Sequence, residues 1–348
     1  MRVLYVVNEA LMGGIQRHVL CLMQSLRGVA DTAVVFNVES DASVIRMFED
    51  EGLKVYRLKG RSGHDLQIVG RFRRVLADFR PDVIHAHVLP VLVLFALRFG
   101  LKGRTPVINS LHMRPRRPSL AWRLIGLICH RVVDYWLPVS AATGDAFWRG
   151  NPKSKGEVFL NPIRIGTGER GAGNGERTGN YIVGMVGRNE DQKDWPAFHA
   201  VEERVKGRWR MEGKREVEFL NAGENSVCNG REAIAKMDLF VMTSKHEQLP
   251  TTMLECFALG TPICGFIPEG GVREVLGFSA GPVREAFVGK RDCGKLADLV
   301  VELLRDEGRR RRIAEDGRRI VEEHFDAEKN CRGQLMDIYR KVIAGRTR

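Results

Sequence analysis

Short apolar runs alternate with amphipathic stretches from the first residues of the chain. "VLYVVN", "TAVVFNV", "KVYRL", "DVIHAH", "PVINSLH", "YWLPVS" and "VFLN" read as strands, and Ile15–Leu26, Asp65–Phe79 and Leu120–Val132 between them carry apolar positions at helical spacing. Continuous rather than alternating apolar runs suit strands covered on both faces, so the pattern predicts a parallel sheet between helices. From Ile165 to Asn180 the text becomes "IGTGERGAGNGERTGN", with six glycines and no apolar period. That composition predicts a linker. A second alternating region follows, with strands expected at "YIVGMVG", "VEFLNAG", "DLFVMTS" and "PICGF". The tail from Asp306 to Ile343 is charged and helical, with Ile313, Ile320, Val321, Leu335, Ile338 and Tyr339 at helical spacing.

The expected organisation is α/β, with two Rossmann-like, doubly wound domains. Residues 1–165 form the first, 166–180 the linker and 181–325 the second, while a helix over 326–348 packs back on the first. A length of 348 residues agrees with two cores rather than one. The longest apolar run, Val88 to Leu101, is shorter than the roughly 20 residues that span a bilayer. Glu9 interrupts the first apolar run before it reaches signal-peptide length. Seven cysteines without a C-x-x-C pair argue against a disulfide framework or a zinc ribbon and predict a reducing, cytoplasmic setting.

Charge changes the picture when it is divided. Residues 1–165 hold 24 Lys and Arg against 13 Asp and Glu, whereas the remainder is nearly balanced at 31 against 30. A basic first half predicts an anionic partner: membrane phospholipid, an anionic substrate or nucleic acid. No nucleic-acid module is recognisable, and the aromatics lie in apolar runs rather than on a stacking platform, so nucleic acid is disfavoured.

In an open α/β sheet, ligands bind beyond the carboxyl ends of the strands. Gly13-Gly14 follows the first expected strand and precedes a helix, where backbone N–H groups can approach a phosphate or sugar, although a Gly pair more often simply turns the chain. His85 and His87 close the fourth strand. His112 closes the fifth, followed by the basic loop Arg114, Arg116 and Arg117. No carboxylates accompany these histidines, which argues against a metal. In the second half, Arg188 and Lys193 stand five apart after a strand, a spacing that suits a diphosphate but also two solvated surface cations. "SKHEQLPTTMLECFALGTP" places Glu247 in a loop at a strand end and Glu255 one turn into an apolar helix, where a carboxylate needs a hydrogen-bonding partner such as a ribose. "PEGG" supplies the turn at Gly270 and Gly271.

Taken together these residues resemble the retaining glycosyltransferases of family 4, which have the two-domain GT-B fold, and the likeness covers essentially the whole chain. "VGRNEDQK" is similar to the family's R-x4-K motif and "SKHEQLPTTMLECFALGTP" to its E-x7-E signature; "VLYVVNEALMGGIQRHV", "PDVIHAH", "PVINSLH", "LPVSAATGDAF" and "VFLNPI" resemble its first-domain segments. The resemblance implies two domains facing across a cleft and a nucleotide-sugar donor. Arg188 and Lys193 would hold the diphosphate, Glu255 the ribose, and Glu247 would approach the sugar. Gly13 and Gly14 would close over the donor, Gly270 and Gly271 would be donor-binding in the turn beside the Glu255 helix, and His112 would stand near the reacting centre. It also implies a glycan or polyprenyl-linked acceptor on the basic domain, with Arg114, Arg116 and Arg117 on the acceptor or membrane side. No cofactor or metal is expected, and location at the inner face of the plasma membrane is. Four departures stand out: Gln16 where Glu is usual, Gln248 in place of a Gly, Arg164 in place of an Asp, and only 51 positions from Gly187 to Asp238. The last predicts that a strand–helix unit is lost or shrunk. A sugar-nucleotide epimerase of the same fold and a degenerate binding subunit are the competing readings.

Overall fold

The computed structural model describes residues 1–60, 67–87, 105–112, 131–166, 179–209, 216–223 and 230–346. Two compact units divide it: residues 1–162 with 327–348, and residues 163–326.

In the first unit six strands form one parallel sheet: β1 (Arg2–Ala10), β2 (Asp31–Glu39), β3 (Lys54–Arg57), β4 (Val83–His87), β5 (Val107–Leu111) and β6 (Tyr135–Pro138), in the order β3-β2-β1-β4-β5-β6. This is the strand order of a dinucleotide-binding Rossmann sheet. The two-residue period of β1 divides its apolar residues between two cores. Val3, Tyr5 and Val7 pack with α1 (Gly14–Ser25), α2 (Ala42–Glu49) and the C-terminal helix Arg332–Arg346. Leu4 and Val6 pack with Ile68, Phe72 and Phe79 of α3 (Gln67–Phe79). The charged tail is thus two helices, Glu307–Ile320 and Arg332–Arg346, separated by π-helical turns at Val321–Phe325 and Ala327–Cys331.

The expected strand at "VFLN" is replaced by an irregular extended segment beside β6. Trp136 N–H donates to Lys155 O (2.9 Å), and Glu157 and Phe159 donate to the carbonyls of Trp136 (3.1 Å) and Pro138 (2.9 Å). Pro138 has no N–H to return, so the ladder cannot continue.

The second unit contains β7 (Tyr181–Val186), β8 (Val217–Ala222), β9 (Leu239–Met242), β11 (Ile263–Phe266) and β13 (Phe287–Val288), parallel in the order β8-β7-β9-β11-β13. Counted within the unit this is 2-1-3-4-5, the flavodoxin-like order. A separate two-stranded parallel ladder joins β10 (His246–Glu247) to β12 (Glu269–Gly270). Glu247 therefore lies in a short strand, not in the loop expected from the sequence. Both units start a strand neighbour in the same way. Asp82 and Asp134 in the first unit, and Asp238 in the second, accept a backbone N–H from Arg2 (2.7 Å), Val107 (2.8 Å) and Ile182 (2.8 Å). No helix among the described residues is long and apolar enough to cross a membrane.

Candidate functional site

The loop after β7 carries Gly187, Arg188 and a 3-10 turn, Asp191–Lys193. The Lys193 stem lies over Gly187, where a Cβ would come within 2.9 Å of it. Lys193 Nζ donates to Glu247 Oε1 at 2.6 Å, with only 16% of the lysine and 8% of the glutamate side chain exposed. The basic loop of one strand and the acidic strand β10 therefore meet in one ion pair. Arg188 projects outward, 61% exposed, and pairs with Glu190 at 3.0 Å, while its carbonyl accepts from Trp195 Nε1 at 3.2 Å.

The PEGG turn completes this corner. Gly271 N–H donates to Glu247 O at 2.8 Å. Gly270 has φ +115°, and a Cβ there would stand 1.9 Å from Glu247 O. Only glycine meets both conditions. Behind the corner, Thr243 Oγ1 donates to the carbonyls of Lys193 and Asp194, each at 3.1 Å. Arg291 donates to Ser244 O (2.9 Å) and Thr243 O (2.8 Å), pairs with Asp194, and stacks on the Phe266 ring at 4.7 Å. One guanidinium thus ties the ends of β9 and β11 to the Lys193 loop. The sequence reading missed Arg291, because β13 before it is two residues long and too short to show a strand pattern.

The next helix, Thr251–Leu259, starts after Pro250, whose side chain makes no cap hydrogen bond. Glu255 is buried in its second turn, 8% exposed. Gly260, in the left-handed region at φ 70°, ends the helix, with Thr261 N–H donating to Cys256 O at 2.8 Å.

The first unit gathers neutral groups instead. His85 hydrogen-bonds Tyr339 OH through Nδ1 (2.8 Å) and Ser110 Oγ through Nε2 (2.9 Å), and Tyr339 OH meets Tyr5 OH at 3.0 Å. His87 Nδ1 and His112 Nε2 are hydrogen-bonded at 2.8 Å. His18, on the buried face of α1, packs edge-on against both, with ring centroids 5.2 Å away. Burial holds all four imidazoles in the uncharged form. His85 falls to about 3, His112 to about 4, and His18 and His87 lie well below the ordinary histidine range. The same burial pushes the Tyr5 and Tyr339 phenols up.

Residues 12–166 match the family profile "Glycosyltransferase Family 4" and residues 203–320 match "Glycosyl transferases group 1". The chain belongs to this glycosyltransferase family. It is 27% identical over 279 residues to the 2-deoxystreptamine N-acetyl-D-glucosaminyltransferase of Streptomyces fradiae, covering 67% of this chain and 65% of that one. It is 32% identical over 151 residues to the N-acetyl-alpha-D-glucosaminyl L-malate synthase of Bacillus anthracis, covering 43% of this chain and 36% of that one. The chain thus spans less than two thirds of the length of these relatives. Its fold matches the crystal structure of Anabaena HepE in complex with UDP and glucose at a TM-score of 0.75 and 16% identity, over 98% of this chain and 100% of that one.

Within this family 4 chain, the second unit brings Lys193, Glu247, Gly270 and Gly271 together and sets Arg188 on the outside of the same loop. In the first unit, His112 follows the carboxyl end of β5 and meets His87 and His18. Gly13 precedes α1 with extended backbone, φ −176°, so its conformation does not require glycine. Gln16, which replaces the usual Glu, donates its amide to Glu9 O at 2.7 Å, a bond that a glutamate could not make. Arg114, Arg116 and Arg117 lie outside the described residues, as does most of the expected linker. His18 was not singled out in the sequence; the available signal was a histidine on the apolar face of an amphipathic helix.

Proposed function

We propose that the protein is a retaining glycosyltransferase that moves a sugar from a nucleotide-diphosphate sugar to a glycan or lipid-linked acceptor. The observation that carries this reading is the Lys193–Glu247 pair, which joins the R-x4-K loop to the first glutamate of E-x7-E at 2.6 Å. An ammonium has three donors. One N–H serves Glu247, and the other two remain for phosphate oxygens.

In this reading Arg188 and Lys193, with the N-terminus of Thr251–Leu259, hold the donor diphosphate without a metal and stabilise the charge that develops on it. Glu255 binds the ribose, and Gly270 and Gly271 let the backbone approach the sugar. Glu247 lies beside the sugar, and His112 with the Gly13-Gly14 loop serves from the first unit. The C1–diphosphate bond breaks as the acceptor oxygen attacks C1 on the same face. The acceptor proton passes to the departing phosphate, so no covalent nucleophile is required. The acceptor side is the basic first unit with Arg114, Arg116 and Arg117, working at an anionic cytoplasmic membrane face in cell-surface glycan synthesis. Two relatives named for N-acetylglucosaminyl groups make UDP-N-acetylglucosamine the first donor to try.

The test is thermal unfolding of wild type and Glu255→Ala with UDP, GDP, ADP, TDP and their sugar conjugates. A ligand at about 100 times its Kd stabilises the native state by about 2.7 kcal/mol. A shift for one base family that disappears in Glu255→Ala supports the donor site. No shift with any nucleotide turns the reading to a binding subunit, and isomerised nucleotide-sugar formed without acceptor turns it to an epimerase. The anomeric configuration of the product decides retention.

A further inference from the structure

We propose that His18, His87 and His112 form a binding site for a divalent transition metal of the zinc type, inside the first unit and including the histidine that the proposed function sets near the reacting centre. The three come from three elements: α1, the end of β4, and the residue after β5. One ring nitrogen of each lies within 4.8 Å of the others. Zinc–imidazole bonds of about 2.0–2.1 Å put tetrahedral ligands about 3.3–3.4 Å apart. Drawing the three nitrogens onto one ion therefore takes side-chain shifts of about an ångström.

The second observation is unmet hydrogen bonding. Both ring nitrogens of His18 and Nε2 of His87 are buried with no hydrogen-bond partner, although the residues are only 2% and 0% exposed. A buried polar atom that loses its water and finds no partner is costly. A metal would accept a lone pair from each ring and remove part of that cost. The fourth histidine, His85, is excluded from the set because Tyr339 and Ser110 already occupy both of its nitrogens.

The donor set selects the ion. Three neutral imidazoles suit zinc, cobalt, nickel or copper and not magnesium or calcium, which prefer oxygen. A three-histidine set also leaves a fourth position for water or a small anion. His112 is the most exposed of the three, so that position and the route from solvent lie on its side. The lack of carboxylates, which argued against a metal in the sequence, is no obstacle to a site of this kind.

The test uses the full-length chain stripped with a chelator and titrated with zinc chloride and cobalt chloride. The expected result is one equivalent of zinc that withstands a chromophoric competitor, and a cobalt spectrum of four-coordinate intensity. His18→Gln and His87→Gln should each weaken binding by more than the roughly 100-fold that loss of an outer-sphere partner causes. His199→Gln, a surface histidine paired with Glu202, should leave it unchanged. Absence of stoichiometric binding in wild type, or binding that survives both substitutions, overturns the proposal. If the variants fail to fold, zinc-edge X-ray absorption on wild type decides: about three imidazole nitrogens support the site, and a shell of sulfur or of oxygen alone refutes it.

Discussion

The two units use one architecture with different edges. In the first, β2 is an interior strand, flanked by β1 and β3, and Ala33 to Asn37 are all buried. In the second, β8 holds the equivalent place next to the first strand of the unit, yet among the described residues nothing pairs with its far side. Only Ala222 of β8 is buried. An open edge invites pairing with another chain, and this one carries Glu216 and Glu218. Phe219 is covered by Phe198, with ring centroids 5.9 Å apart, and by Lys206, 5.5 Å from the ring.

The polar centres differ as well. The first unit holds four uncharged histidines, three of them buried and His112 half-buried, while the second unit holds a largely buried ion pair and has no buried histidine among its described residues. Acid should separate them most strongly. A histidine with an unfolded value near 6.5 and a folded value of about 3 or 4 binds its proton only on unfolding. Its contribution is complete above pH 6.5 and declines as the pH falls toward the folded value. The slope is up to about 1.4 kcal/mol per pH unit for each histidine. In chelator-treated protein, hydrogen-exchange protection, corrected for the slower intrinsic exchange in acid, should fall between pH 7.5 and 5 far more across β4 and β5 than across β7 and β9. An equal loss of protection in both sheets would contradict the contrast.

Next in size is Gly270→Ala. Positive φ and a 1.9 Å approach to Glu247 O leave no room for a methyl group, so the second unit should lose about 3 kcal/mol or more in urea unfolding. Lys193→Met leaves Glu247 buried without its cation and should cost about 3 kcal/mol. Adding Glu247→Leu should recover part of that loss, and a double-mutant cycle measures how much. The smallest effect is expected at Gly13→Ala, under about 1 kcal/mol, because Gly13 is extended and its nearest neighbour is the flexible end of Gln16 at 3.2 Å. Two Gly-Gly pairs that look alike in the sequence would then differ by several-fold in cost. A Gly13→Ala loss as large as that at Gly270 would remove the distinction.

The sequence by itself determined the alternation of strand and helix, the two α/β units, the position of Glu255 inside its helix and the spacing of the R-x4-K and E-x7-E motifs. These are local matters: apolar period, glycine turns and charges a few residues apart decide them. The tertiary structure decided which strand lies beside which, that β8 is the last strand of its sheet among the described residues, and that Lys193 reaches Glu247 across 54 positions. It also decided that Arg291 reaches Asp194 across 97, and that His18 joins His87 and His112. Parallel strands are joined by crossovers, so neighbours in the sheet are distant in the chain and no local pattern records the pairing. Burial then does what composition cannot: it keeps the histidines of the first unit uncharged.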